Sequence, residues 1–192
     1  MNHQKKPKGG KPGLLIKVSL TALFAALIAA GTFIAIPIGP VPIVLQNLFA
    51  LLSGLVLGPL MGAAAVGLYL LAGILGFPVF AGGSGGIPRL LGPTGGYLIG
   101  YLLAALAAGF MAGRPRITHT TPLPRLIAAV ITGFLIIYVP GIIWLKILNK
   151  LSWTRALLAG FVPFILGDAI KGAAAVLIVP RLRRIAADLL NA

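Results

Sequence analysis

The sequence predicts an all-α integral membrane bundle of six transmembrane helices, and three observations carry that expectation. Of 192 residues, 59% fall in the broad apolar set and only 9% are charged, whereas a water-soluble domain typically carries about 25% charged residues. The apolar residues run in stretches that approach the roughly 20 needed for a helix to cross a bilayer. The charge is also one-sided, with 16 Lys and Arg against 2 acids and a formal net charge of +14. Such an excess ordinarily raises the question of nucleic acid, but so few charges leave no structured soluble surface on which to build a basic face. In a membrane protein the same excess holds loops and ends on the cytoplasmic side.

Residues 1–13, MNHQKKPKGGKPG, combine Lys, Pro and Gly and read as a disordered basic tail. Residues 14–192 then form one transmembrane domain. The first span is expected over Val18 to Ile36, too long for the apolar region of a signal peptide. Pro37 to Pro42 ends it, because proline lacks a donor and disfavours helix in the residue before it. The second span is expected over Val41 to Leu57, and Gly58-Pro59 turns the chain into a third over Leu60 to Leu75. The stretch from Gly76 to Tyr97 is too rich in Gly and Pro for a helix, yet almost uncharged.

A fourth span covers Tyr97 to Ala112, with Thr94 as its expected N-cap. Gly113 to Pro124 is polar and basic, hence a loop. The fifth span, Leu126 to Leu145, is interrupted at Pro140-Gly141. The sixth, Ala156 to Val179, is distorted by Pro163 and followed by a basic tail over residues 181–184. Six spans with both termini in the cytoplasm put Lys5, Lys6, Lys8, Lys11, Lys17, Arg114, Arg116, Arg125, Arg181, Arg183 and Arg184 inside. Arg89, Lys146, Lys150 and Arg155 fall outside, and Lys171 lies within the last span. Five spans would strand residues 181–184 on the wrong side.

Candidate sites follow from what is costly in a membrane. Asp168 sits in the sixth span, where an ionised carboxylate needs a partner, and Lys171 lies one turn away on the same face. The two are either an internal ion pair or the polar lining of a ligand cavity. The long loop from Gly76 is a candidate lid. Its one charge, Arg89, suits an arriving anionic group or else a lipid phosphate. Phe77, Phe80, Tyr97, Tyr101, Tyr138 and Trp144 gather toward the outer half, as an interfacial belt or as ligand walls. Gln46 and Asn47 serve interhelical hydrogen bonding or the ligand. Ala22, Ala26 and Ala30 form a flat stripe for close packing, within the bundle or against another membrane protein.

The absences narrow the chemistry. With no cysteine, there is neither a disulfide nor a thiolate metal site, and His3 and His119 lie far from other ligand types. There is no phosphate-binding loop of the G-x-x-x-x-G-K-[ST] type and no Ser, His and acid set. No catalytic residue, metal or cofactor is expected, and any ATP-driven work requires separate subunits. A proton-coupled secondary transporter of a small carboxylate, with Asp168 as relay, and a purely structural membrane subunit are the alternatives to a substrate-binding subunit.

The segments PVPIVLQN (40–47), GFPVFAGGSGG (76–86), LLGPTGGYLIGY (90–101) and GDAIKGA (167–173) together resemble the BioY family. Its members are the biotin-specific substrate-binding (S) subunits of energy-coupling-factor (ECF) transporters. The resemblance implies a multi-pass subunit of the cell membrane that captures biotin from outside. Delivery then needs a transmembrane coupling subunit and ATP-binding subunits. It further implies that Asp168 meets the ureido N–H of biotin, Lys171 a ligand oxygen and Arg89 the tail carboxylate. Ser84 or backbone groups supply donors in the loop, and Ala22, Ala26 and Ala30 dock on the coupling subunit.

Overall fold

The computed structural model describes residues 13–36, 40–117 and 121–191. The expected tail over 1–12, both histidines and Pro37 lie outside the described residues. Among those described, α1 (Leu14–Gly31), α2 (Gln46–Leu57), α3 (Pro59–Ile74), α4 (Ile87–Leu91), α5 (Gly95–Ala112), α6 (Leu123–Leu148), α7 (Trp153–Gly160) and α8 (Ile165–Asn191) build one bundle. A two-stranded hairpin, β1 (Ala35–Ile36) with β2 (Ile43–Val44), precedes α2. Four helical stretches are long and apolar enough to cross a membrane: 14–31, 95–112, 123–148 and the joined stretch 153–190. α2 and α3 are apolar but shorter, so six full-length spans are not what the helix lengths give.

Several boundaries move, each for a local reason. α1 stops at Gly31 rather than Ile36, and α2 starts at Gln46 rather than Val41. The hairpin occupies the difference, since the residue before Pro42 is biased to extended backbone. At about 1.5 Å per residue, the 12 residues of α2 reach roughly 18 Å, so its N-terminus starts at depth inside the bundle. Pro140 does not interrupt the fifth span, because α6 runs unbroken through it. Membrane helices tolerate proline where neighbouring groups satisfy the freed backbone. Pro163 does more than distort the sixth span: a 3-10 turn at Val162–Phe164 separates α7 from α8. The expected basic tail is helix, continuing α8 past Pro180.

Small residues decide how closely the helices approach. A Cβ on Gly54 of α2 would lie 2.1 Å from the Ala105 carbonyl oxygen of α5, and one on Gly62 of α3 would lie 2.5 Å from the Gly54 Cα. α2 is thereby sealed between α3 and α5, and from Gln46 to Leu57 only Phe49 is not fully buried.

The charges sort by end. Lys17, Arg114, Arg116, Arg125, Arg181, Arg183 and Arg184 flank the α2–α3 turn and the α5–α6 connection, whereas Arg89, Lys146, Lys150 and Arg155 lie at the opposite end. At the basic end the buried Arg183 guanidinium donates to Leu55 O, to Ala112 O at 3.0 Å, to Gly113 O at 3.1 Å and to Arg114 O at 3.0 Å. It therefore caps the C-terminal carbonyls of α2 and α5 together, where a cation also opposes the negative ends of the helix dipoles.

Candidate functional site

Away from the basic end the bundle encloses a cavity, with about 530 Å³ of non-atom space including the part open to solvent. The hairpin contributes Val41, Pro42 and Val44 to its wall, and the first turn of α2 contributes Gln46 and Asn47. α5 adds Tyr97, Leu98 and Tyr101, with Thr94 just ahead of it. α6 adds Ile137 and Tyr138, the α7–α8 turn adds Phe164, and the long loop closes the wall with Phe80 and Ala81.

The wall is held in place by glycines. The Phe80 ring lies flat on Gly73, where a Cβ would sit 2.1 Å from it, and meets Tyr69 edge-on at 5.5 Å. This contact folds the loop onto the bundle and explains why Phe80 is 1% exposed while Phe77 is 59% exposed. The Tyr97 side chain fills a slot between Gly141 of α6 and Gly160 of α7, and its hydroxyl donates to Gly160 O at 2.7 Å. Trp144 Nε1 donates to Gly92 O at 2.9 Å and ties the loop's return to α6.

Behind one side of the cavity lies the polar hub. Lys171 Nζ donates to Asp168 Oδ1 at 2.9 Å, to Asn47 Oδ1 at 2.9 Å and to Val44 O at 2.8 Å. Asn47 Nδ2 donates to Asp168 Oδ1 at 2.9 Å, and the Tyr138 hydroxyl donates to Asp168 Oδ2. Asp168 and Lys171 are 5% and 9% exposed. All three ammonium protons are engaged, as the burial of a charge requires. The ion pair itself does not line the cavity: Asn47 and Tyr138 do, and they carry its polarity to the surface of the hollow. Asp168 borders a second, apolar groove between α6 and α8 on the other side.

Of the residues expected to form the site, Phe80, Tyr97 and Gln46 line the cavity, whereas Asp168 and Lys171 stand one hydrogen bond behind it. Arg89 and Ser84 are not in the wall. Both brace it instead by donating to the Ala81 carbonyl at 2.9 Å. The Arg89 Nε is buried without a partner among the described residues. Ala22, Ala26 and Ala30 are exposed, while Phe24, Ala25 and Ile28 face the bundle.

Sequence reasoning missed the free hydroxyls. Thr94 occupies the expected N-cap position of α5 but makes no side-chain cap bond. Its hydroxyl and that of Tyr101 face the cavity without a hydrogen-bond partner among the described residues. Gln46 donates to the Tyr69 hydroxyl and keeps its Oε1 free. An unused cap at the head of a helix is a signal that sequence does not reveal, because Thr is a good cap in either case. The cavity thus offers five polar groups set in an otherwise apolar and aromatic wall, the usual make-up of a small-molecule site.

The model of the BioY family matches residues 3–188. A probable biotin transporter BioY of Pyrococcus horikoshii is 44% identical over 167 residues, covering 87% of this chain and 96% of that one. The biotin transporter BioY of Thermotoga maritima is 41% identical, covering 85% of this chain and 93% of that one. Among solved structures, the S-component for biotin from an ECF-type ABC transporter superposes with a TM-score of 0.80 at 36% identity. That match covers 88% of this chain and 92% of the other.

Proposed function

This chain belongs to the BioY family, and on that premise we propose how its cavity serves the uptake of biotin. The protein is a multi-pass membrane transporter subunit for biotin. The observation that carries the reading is a cavity apolar over most of its wall and polar at one side, where Asn47 and Tyr138 present the buried Asp168–Lys171 pair. Biotin has the matching polarity, with a ureido head carrying two N–H donors and a carbonyl, fused apolar rings and an aliphatic chain.

The ureido head docks against Asn47, Tyr138 and Tyr101. Tyr138 donates to Asp168 and keeps its oxygen lone pair for a ureido N–H, and the adjacent carboxylate strengthens that acceptor. A ligand oxygen reaches Lys171 only by replacing one of its three present acceptors. The ring system packs on Phe80, Tyr97 and Phe164. The tail runs toward the loop, where Arg89 is the nearest cation of that segment and Ser84 a further donor. Because Arg89 and Ser84 both hold Ala81, the loop that recognises the tail is also the one that closes over it.

The basic end faces the cytoplasm in this reading, as the bias of Lys and Arg favours, and the membrane is the cytoplasmic one. The exposed alanines at positions 22, 26 and 30 dock on a transmembrane coupling subunit that ATP-binding subunits drive. Transport rather than catalysis is the role this reading gives the chain. The test is calorimetric titration of biotin into the detergent-purified chain beside Tyr138→Phe and Asp168→Asn. Wild type binds at 1:1 with both variants weakened. A folded wild-type chain that ignores biotin overturns the reading, and two variants that bind as wild type overturn the site.

A further inference from the structure

The basic end of the bundle holds a separate concavity of about 790 Å³, open solvent included, between the first turn of α1, the α2–α3 turn, the segment after α5 and the last turn of α8. Lys17 and Arg114 line it, beside an apolar wall of Leu57, Leu60, Met61 and Leu190. The chain has 2 acids in all, and Asp168 is engaged at the far end of α8. Asp188 is thus the one acidic side chain left to balance Lys17, Arg114, Arg116, Arg125, Arg181, Arg183 and Arg184. Arg183 is consumed by helix-end carbonyls and Arg125 donates to Met111 O. Neither the Lys17 nor the Arg114 side chain has a hydrogen bond or ion pair among the described residues. Two unpaired cationic side chains therefore share one groove with a half-buried apolar wall, exposed at Leu60, at the boundary of a membrane-spanning bundle.

We propose that this groove binds an anionic phospholipid, its phosphate held between Lys17 and Arg114 and the start of an acyl chain against Leu60 and Met61. A free phosphate satisfies the cations and leaves the apolar wall wet. A neutral lipid satisfies the wall and leaves the net positive charge unmatched. An anionic lipid does both, and basic pockets among transmembrane helices bind such headgroups.

The experiment reconstitutes the full chain in bilayers of phosphatidylcholine with phosphatidylglycerol, extracts it in mild detergent and measures retained lipid by native mass spectrometry. At about fivefold per cation, wild type retains phosphatidylglycerol over phosphatidylcholine by roughly thirtyfold. Lys17→Ala loses about fivefold of that preference. Lys17→Ala with Arg114→Ala loses all of it while still binding biotin, and Lys150→Ala at the opposite end loses none. Equal retention of the two lipids by wild type overturns the proposal without any variant. So does an unchanged preference in the double variant, full displacement of the lipid by glycerol phosphate, or an acidic peptide taking the groove while both lipids are retained alike.

Discussion

Two buried cations sit on α8, and the fold treats them differently. Lys171 is matched by a full carboxylate, Asp168 at 2.9 Å, with Asn47 of α2 and the Val44 carbonyl of β2 taking its other protons. Arg183, about 18 Å farther along the helix, has no carboxylate among its acceptors and is matched by the backbone carbonyls of Leu55, Ala112, Gly113 and Arg114. Carbonyls at helix ends cannot leave, so Arg183 locks α8 to α2 and α5. The hub around Lys171 is made of side chains with spare hydrogen-bonding capacity beside a hollow, so it can exchange partners. One helix thus carries an adaptable polar end and a fixed one, both tied to the short α2.

The largest effect that would sharpen this contrast comes from Asp168→Asn. It leaves Lys171 buried without a countercharge, at a cost of about 3–5 kcal/mol in stability, and it lowers biotin affinity more than a hundredfold by calorimetry. Adding Lys171→Met removes both charges and recovers most of the melting temperature without recovering binding. Were the double variant to bind biotin normally, the adaptable end would be only a structural ion pair.

Arg183→Met comes next. Removing the guanidinium strips a charged donor from four carbonyls and costs about 2–4 kcal/mol by thermal unfolding in detergent, while biotin affinity changes less than about threefold. A loss of affinity as deep as that of Asp168→Asn would erase the division of labour between the ends.

Tyr138→Phe removes one charge-assisted hydrogen bond at the cavity face and weakens biotin by about tenfold. An effect confined to the melting temperature would move the ligand away from this side of the hollow. The smallest effect belongs to Arg89→Ala. Its part-exposed cation contributes about 0.2–1 kcal/mol, a loss for biotin of about 1.4- to fivefold. The same substitution should leave an uncharged biotin amide nearly unaffected, and an equal loss for both ligands would make Arg89 a brace for Ala81 alone.

Much of this contrast is readable in the residues. A lone acid in an apolar run, with a lysine one turn on, marks the hub because an ionised carboxylate there needs a partner. The cap role of Arg183 is invisible in the same text, where it looks like one more member of a cytoplasmic charge cluster. Asn47 and Tyr138 read as one polar and one aromatic residue among others, and 121 and 30 positions separate them from Asp168 along the chain. The helix ends around Pro42 and Pro163 differ from expectation for the same reason: proline signals a break, and packing sets how large that break becomes. Tyr97 reaches its place only because Gly141 and Gly160, from two other helices, leave a slot for its ring.

Composition and charge order were enough to establish a basic, membrane-embedded helical chain with one expensive ion pair, since solvation costs depend on residue type and local spacing alone. Which atoms meet around that pair, and that the cavity touches Asn47 and Tyr138 rather than the charges, depended on how α2, α6 and α8 converge. Burial leaves a polar atom no choice but to find a partner, and which partner lies within 3 Å is a property of three-dimensional packing.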